Sequence, residues 1–327
     1  MQLQTPKIEI YRTRTFTEKL TDTFNFLREN WRVLLKYVIY VMLPVSIVEA
    51  FFVNHFWNGY IEFLSAIEHL GSFGDSKALT FVLTTLAAVV VSLASYVVLM
   101  SLVYALIRLY NAREERLGNL SVEELKPELF YCLKRGFMLT LAGILLLIVV
   151  CLVLGMVVGL AFLIDTGVGA IITILGVILF YVALIVLVPP MTIVAPIYMM
   201  EDEIGVFAAY AKAVRLGFAT WGGIFAISIV IGMLASVIQS VTMMPWYLLS
   251  MFKMVFTVAG DLEGSFFNTI YFTILQYLTC ILQCLGYFIA AVITIVAVTM
   301  QYGHASDKID GVGVARKIDN FDEFDNF

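Results

Sequence analysis

Six stretches of near-continuously apolar residues, at 33–54, 79–107, 137–164, 168–188, 221–244 and 267–300, constrain this 327-residue chain more than any other feature. At about 1.5 Å of rise per residue each is long enough to cross a hydrocarbon core of roughly 30 Å. In that solvent the backbone must bond to itself. Unbroken apolar runs, without the alternation of a barrel strand, select the helix. The expected fold class is therefore all-α, a polytopic membrane protein of six transmembrane helices with amphipathic interfacial helices before spans 1, 3 and 5. With 61% hydrophobic and 14% charged residues a water-soluble globule is excluded, and a net charge of -5 argues against a nucleic-acid partner.

Spans three and four are separated by Asp165, Thr166 and Gly167, with Gly169 just beyond, which predicts a tight helical hairpin. Of the 20 Lys and Arg residues, 17 fall in segments that six spans place on one side of the membrane. Lys77 and Lys253 fall on the other, and Lys36 lies within span one. The positive-inside rule then puts both the N- and the C-terminus in the cytoplasm. The first thirty residues mix basic and acidic side chains without an apolar core, so span one, and no cleavable signal, is expected to direct insertion.

Ahead of span one, Phe16, Leu20, Phe24, Leu27 and Trp31 fall on a single helical face, while Arg14, Lys19, Asp22, Arg28 and Glu29 lie elsewhere. Thr15 and Glu18 have the spacing of a capping box, in which the hydroxyl and the carboxylate each take one of the free amides that open a helix. This helix is expected to lie in the inner membrane interface, anchored by its five apolar residues. The same offsets recur as Val122, Lys126, Phe130, Leu133 and Phe137 before span three, and as Val206, Tyr210, Val214, Gly217 and Trp221 before span five. Ser121 with Glu124, and then Gly205, hold the corresponding cap positions. The reading is a single membrane domain over 1–302, with a candidate threefold repeat at 15–107, 121–188 and 205–300, followed by an acidic, solvated cytoplasmic tail at 303–327. Pro127 is expected to split the second interfacial helix.

Ionisable groups inside a membrane are functional suspects, and only Lys36 and Glu49 fall within the spans. Both are expected near the ends of span one, where Lys36 snorkels to the inner surface and Glu49 approaches the outer one, the alternative being a polar cavity that includes Glu49. Pro189 and Pro190 must kink or end an apolar stretch that would otherwise run to Met200, with Met191 to Met200 leaving along the inner interface. Gly155 and Gly159 form a GxxxG suited to close helix packing. Residues 55–78, rich in aromatic side chains, predict a loop or short helix on the outer surface. Cys132, Cys151, Cys280 and Cys284 lack disulfide or zinc spacing and are expected to be buried small hydrophobes, and His55, His69 and His304 lie outside the spans. No catalytic residue, cofactor-binding residue or metal ligand is expected, and no cofactor.

The stretch from Val188 to Phe225 joins a proline-interrupted span to the acidic pair Glu201 and Asp202, then Gly205, an alanine-rich helix with Arg215, and an aromatic start to the next span. It resembles the membrane domain associated with glycerophosphoryl diester phosphodiesterases and the related YciC-like bacterial inner-membrane proteins. Residues 14–35 look like that group's N-terminal interfacial helix and residues 308–319 like its closing segment. The resemblance implies six helices and a bacterial cytoplasmic membrane. A phosphodiesterase barrel needs about 250 residues, which no soluble segment here approaches. The expected function is therefore a non-enzymatic accessory or scaffold, in lipid or envelope homeostasis, with a transporter or lipid translocator as the alternative. Its expected partners are membrane lipids, through anionic headgroups at the cytoplasmic face, and another membrane protein. Candidate transport or structural residues are Lys36, Glu49, Pro189, Pro190, Glu201, Asp202 and Arg215.

Reporter domains fused after Asn111, Glu203 and Phe327 should report the cytoplasm, and reporters near Phe73 and Asp261 the opposite side. One reversed signal would rule out the six-span topology.

Overall fold

The computed structural model describes residues 6–68, 74–162, 166–258 and 266–315. Asp165 of the expected hairpin turn, His69 and Phe73 of the outer segment, Asp261, and the tail from 316 onward lie outside the described residues. In chain order the helices are α1 (Phe16–Glu68), α2 (Asp75–Ala112), α3 (Val122–Phe162), α4 (Thr166–Thr192), α5 (Val194–Met200), α6 (Val206–Ala219), α7 (Trp221–Val258) and α8 (Ile270–Asp310), with a 3-10 turn at Phe266–Asn268. No strand occurs among the described residues, and six helices are long and apolar enough to cross a membrane.

The helix starts follow the local chemistry. Thr15 and Glu18 close their capping box, the Thr15 amide donating to Glu18 Oε2 at 2.7 Å and the Glu18 amide to Thr15 Oγ1 at 3.3 Å. Ser121 Oγ accepts the Glu124 amide at 3.2 Å, and Gly205 caps α6 with extended backbone. Helix lengths depart from expectation. The first interfacial helix and span one are one helix, and α1 continues to Glu68 through the segment expected to be a separate outer loop or helix. Pro127 does not split α3; it lies near the helix start, and the carbonyl it deprives of a partner belongs to exposed Glu123. The third interfacial helix stays distinct, because α6 ends at Thr220 before α7 begins.

The chain divides into two compact units, each assembled from separated stretches. Unit one comprises residues 1–29, 104–230 and 295–327, and unit two residues 30–103 and 231–294. In unit one, segment 6–14 is docked. Lys7 Nζ donates to the carbonyls of Asn111 and Arg113, each at 2.9 Å, closing the C-terminal end of α2. Asp307 Oδ2 accepts from the amide and the hydroxyl of Thr13, each at 2.6 Å. The expected tail is thereby corrected at its start: α8 runs to Asp310, and Gly303, His304, Ala305 and Ser306 are buried. In unit two, Gly286 brings α8 against α7 so closely that a Cβ there would lie 1.9 Å from Thr242 Oγ1. Trp246 Nε1 donates to Asn54 Oδ1 at 2.9 Å, and Lys253 Nζ to Asn58 Oδ1 at 2.8 Å.

Pro189 and Pro190 lie inside α4, and the break comes three residues later, at Ile193 (φ -85°, ψ 0°). Proline at 190 removes the amide that would bond the Val186 carbonyl, and Trp221 Nε1 supplies the missing donor at 2.9 Å. The segment after the break does not leave along the interface, since Val194, Pro196, Ile197, Tyr198 and Met199 of α5 are buried. Helix α6 packs on the proline pair through Gly217, where a Cβ would meet Pro190 Cα and Cβ at 2.6 Å.

Gly217→Ala should therefore lower thermal stability in detergent by the equivalent of about 1–3 kcal/mol, the usual effect of overpacking a tight contact. Gly222→Ala, with no heavy atom within 4 Å of its Cβ position, should leave the melting temperature unchanged or raise it.

Candidate functional site

The acidic pair after α5 is the hub of a charged cluster in unit one. Arg108, toward the C-terminal end of α2, donates from Nη1 to Asp202 Oδ1 at 2.7 Å and to the Met199 carbonyl at 2.9 Å, and from Nε to Glu128 of α3. Tyr131 Oη adds a second hydrogen bond to Asp202 Oδ1 at 2.9 Å. The bond from the Arg108 guanidinium, ahead of the burial that opposes it, holds the Asp202 carboxyl below the usual aspartate range. Asp202 therefore supports folding above its unfolded pKa, and that support disappears as pH falls through its lowered folded value.

Arg135 of α3 deals with the backbone of the same turn. Its Nη1 donates to the Asp202 carbonyl at 2.7 Å and to Tyr131 Oη at 2.8 Å, and its Nη2 to the carbonyls of Glu201 at 2.8 Å and Ile204 at 3.2 Å. The guanidinium also stacks over the Tyr198 ring, 4.0 Å from its centroid. A buried planar cation thus closes carbonyls that no following amide reaches after α5. On the other side Lys212 Nζ donates to both Glu201 oxygens, at 2.8 and 2.9 Å, and Tyr302 Oη of α8 donates to Glu201 Oε1. Arg215 pairs with Asp310 at 2.8 Å.

Of the residues singled out from sequence, Glu201, Asp202 and Arg215 are brought into this cluster, and Pro189 and Pro190 underlie the break that presents it. Lys36 and Glu49 belong to unit two. Lys36 is exposed, its ammonium 5.3 Å from the Tyr37 ring centroid. Glu49 is not at the end of a span. It is 8% exposed, with Ser92 and Ser95 of α2 as hydrogen-bonding neighbours and Cys284 and Tyr287 of α8 close by, and those positions fall midway along their own spans. The difference from the expected depth arises because α1 outruns the apolar stretch at both ends. One Glu49 oxygen is buried without a hydrogen-bond partner among the described residues.

The interfacial stripe also has an unexpected arrangement. Phe16, Phe24 and Trp31 are exposed and Leu20 and Leu27 half-buried, as an anchor to lipid requires. The face of α1 turned into the protein carries Lys19, Thr23, Phe26 and Asn30, all buried. Cys132, Cys280 and Cys284 are buried but Cys151 is exposed, correcting that expectation. Gly155 and Gly159 have no heavy atom within 4 Å of their Cβ positions, so among the described residues no helix packs on that motif.

Arg108, Tyr131, Arg135, Tyr198, Lys212 and Tyr302 were not legible as a site, since apart from the Arg135–Tyr131 contact, four residues apart on α3, their partners are 11 to 101 residues away along the chain. Their one sequence signal is basic or phenolic character at the ends of apolar spans. The cluster's carboxylates are all ion-paired, and among the described residues no group of three His, Cys, Asp or Glu side chains can hold a metal. Such an arrangement clamps the helices through charge-assisted hydrogen bonds. Comparison with protein-family models, curated proteins and solved structures finds no match.

Arg135→Met should cost about 3 kcal/mol, because several carbonyls lose a charged donor together. Arg135→Lys should recover only part of that, while Arg215→Lys, at an exposed pair, should change stability by less than about 1 kcal/mol. Thermal denaturation in a lipid-containing detergent measures all three.

Proposed function

We propose that this multi-pass membrane protein is a non-enzymatic accessory or scaffold of a bacterial cytoplasmic membrane, acting in lipid or envelope homeostasis. In this reading it binds anionic lipid headgroups at its basic face and another membrane protein along its helices. The observation that carries the proposal is the bareness of the α3–α4 hairpin. The most apolar window of the span containing α4 has 0% of its residues buried and that of α3 6%, against 50% in α8. A helix pair that its own chain scarcely covers has its packing surface free for lipid or for a partner's helices, and Gly155 and Gly159 leave a smooth strip on it. The paired charges of the cluster around Asp202 and the resemblance to the YciC-like membrane proteins support the same reading, with both termini in the cytoplasm.

One observation favours a second reading, a transporter or lipid translocator. Glu49 is buried midway along the spans that face it, has an oxygen without a partner, and lies among hydroxyls and thiols. A carboxyl so placed is where a protonation or cation step would be built.

Native mass spectrometry of the protein, drawn from its own membrane with lipid retained, separates the two. A stoichiometric protein partner with only bulk lipid is expected, and replacing Gly155 and Gly159 by Leu should release it. Lipid or solute movement in proteoliposomes that Glu49→Gln abolishes would replace the scaffold reading with the translocator.

A further inference from the structure

Lys19 is the most anomalous charge in unit one. It is 4% exposed, yet it makes no salt bridge with a carboxylate among the described residues. Its charged neighbours are Lys308 and Arg14, both cations, and His304 lies beside it. The nearby carboxylates are committed elsewhere. Asp22 pairs with Arg14 Nε at 2.7 Å, and Asp307 accepts from Thr13 and from the Gly313 amide. A buried ammonium without a counter-charge is costly to a fold.

Its surroundings are equally unfinished. Gln301 of α8 is 0% exposed, and among the described residues neither its amide nitrogen nor its amide oxygen has a partner. The two groups converge. A Cβ built on Gly223, in the first turn of α7, would lie 3.3 Å from Lys19 Nζ and 3.4 and 3.6 Å from the Gln301 nitrogen and oxygen. Gln301, His304 and Lys308 fall on one face of α8, so the face that meets Lys19 leads along the helix to exposed Lys308. His304 Nδ1 accepts the Arg14 amide at 2.9 Å, which leaves its Nε2 as an N–H donor.

We infer that Lys19 and Gln301, meeting at Gly223, form a buried site for a phosphate-type anion, with Lys308 at its edge. The ammonium and the Gln301 N–H supply donors to an anionic oxygen, and the Gln301 carbonyl accepts from an O–H on or beside the phosphorus centre. Hydrogen phosphate and a hydroxyl-bearing phospholipid headgroup share that chemistry. The inference deepens the scaffold reading, on which it rests, by naming the group that the basic face recognises. It also gives the bare glycine a role, since a methyl group there would press on the Lys19 ammonium and the Gln301 amide, at 3.3 to 3.6 Å, and hold both away from a ligand oxygen.

The test uses the full chain in phosphatidylcholine nanodiscs, titrated separately with inorganic phosphate and with phosphatidylglycerol added to the bilayer, read by phosphorus NMR and native mass spectrometry. Wild type should retain one phosphorus-bearing anion, and Lys19→Met should weaken its binding at least tenfold, while Lys36→Gln, at an exposed cation of unit two, should not. Saturation by inorganic phosphate assigns the site to a free anion, and saturation by phosphatidylglycerol alone assigns it to a headgroup; either supports the inference. If Lys19→Met fails to fold, Gly223→Ala obstructs the same point with one methyl group and should give the same loss. Equal binding by wild type and Gly223→Ala, or no retained phosphorus in wild type, would overturn it. Bulk association with anionic bilayers and partner recovery, measured on the same samples, report on the scaffold reading independently: both intact with no site-specific anion would sink this inference alone.

Discussion

Two consecutive prolines at the end of a long apolar helix leave backbone carbonyls without amide donors, in a setting where water is scarce. Much of unit one is arranged to satisfy them and the helix break they produce. Trp221 donates to the carbonyl that Pro190 orphans. Gly217 lets α6 come close enough to lie against the proline ring. Past the break at Ile193, the short helix α5 ends in a turn whose carbonyls are gathered by Arg135. The low dielectric that makes an unpaired carbonyl costly also strengthens each of these bonds, so the devices are coupled through one segment of chain.

The acidic pair acquires its meaning from that turn. Glu201 and Asp202 end α5 with their carboxylates directed to different partners, Lys212 and Tyr302 on one side, Arg108 and Tyr131 on the other. The turn is thereby tied to α2, α3, α6 and α8 together. Arg135 contributes differently from the surface pairs. It is buried and satisfies several backbone groups, whereas Arg215 with Asp310 is an exposed contact whose removal matters little. A clamp of this kind holds helices in register.

Helix α1 shows how a membrane interface inverts an ordinary amphipathic helix. Its aromatic residues Phe16, Phe24 and Trp31 point outward, and Lys19, Thr23 and Asn30 point into the protein. In water the opposite distribution would be stable. Where lipid covers the outer face, apolar side chains are at no disadvantage outside, and polar side chains gain by meeting other polar groups inside. Lys19 beside Gln301, and Glu49 beside Ser92 and Ser95, are products of that inversion in the two units.

What the sequence by itself determined follows from local physics. Six apolar runs specify six helices because the bilayer admits little else, and Thr15 with Glu18, Ser121 with Glu124, and Gly205 mark helix starts through hydrogen bonds that close within four residues. Pro189 and Pro190 announced a break, though not that it would fall at Ile193 or that α5 would be buried. Where α1 and α8 stop, how deep Glu49 lies, and which partners Arg108 and Arg135 find were decided only by tertiary structure. Each depends on groups tens of residues away, and in an apolar environment a polar side chain takes the partner that folding brings to it, which hydrophobic periodicity does not encode.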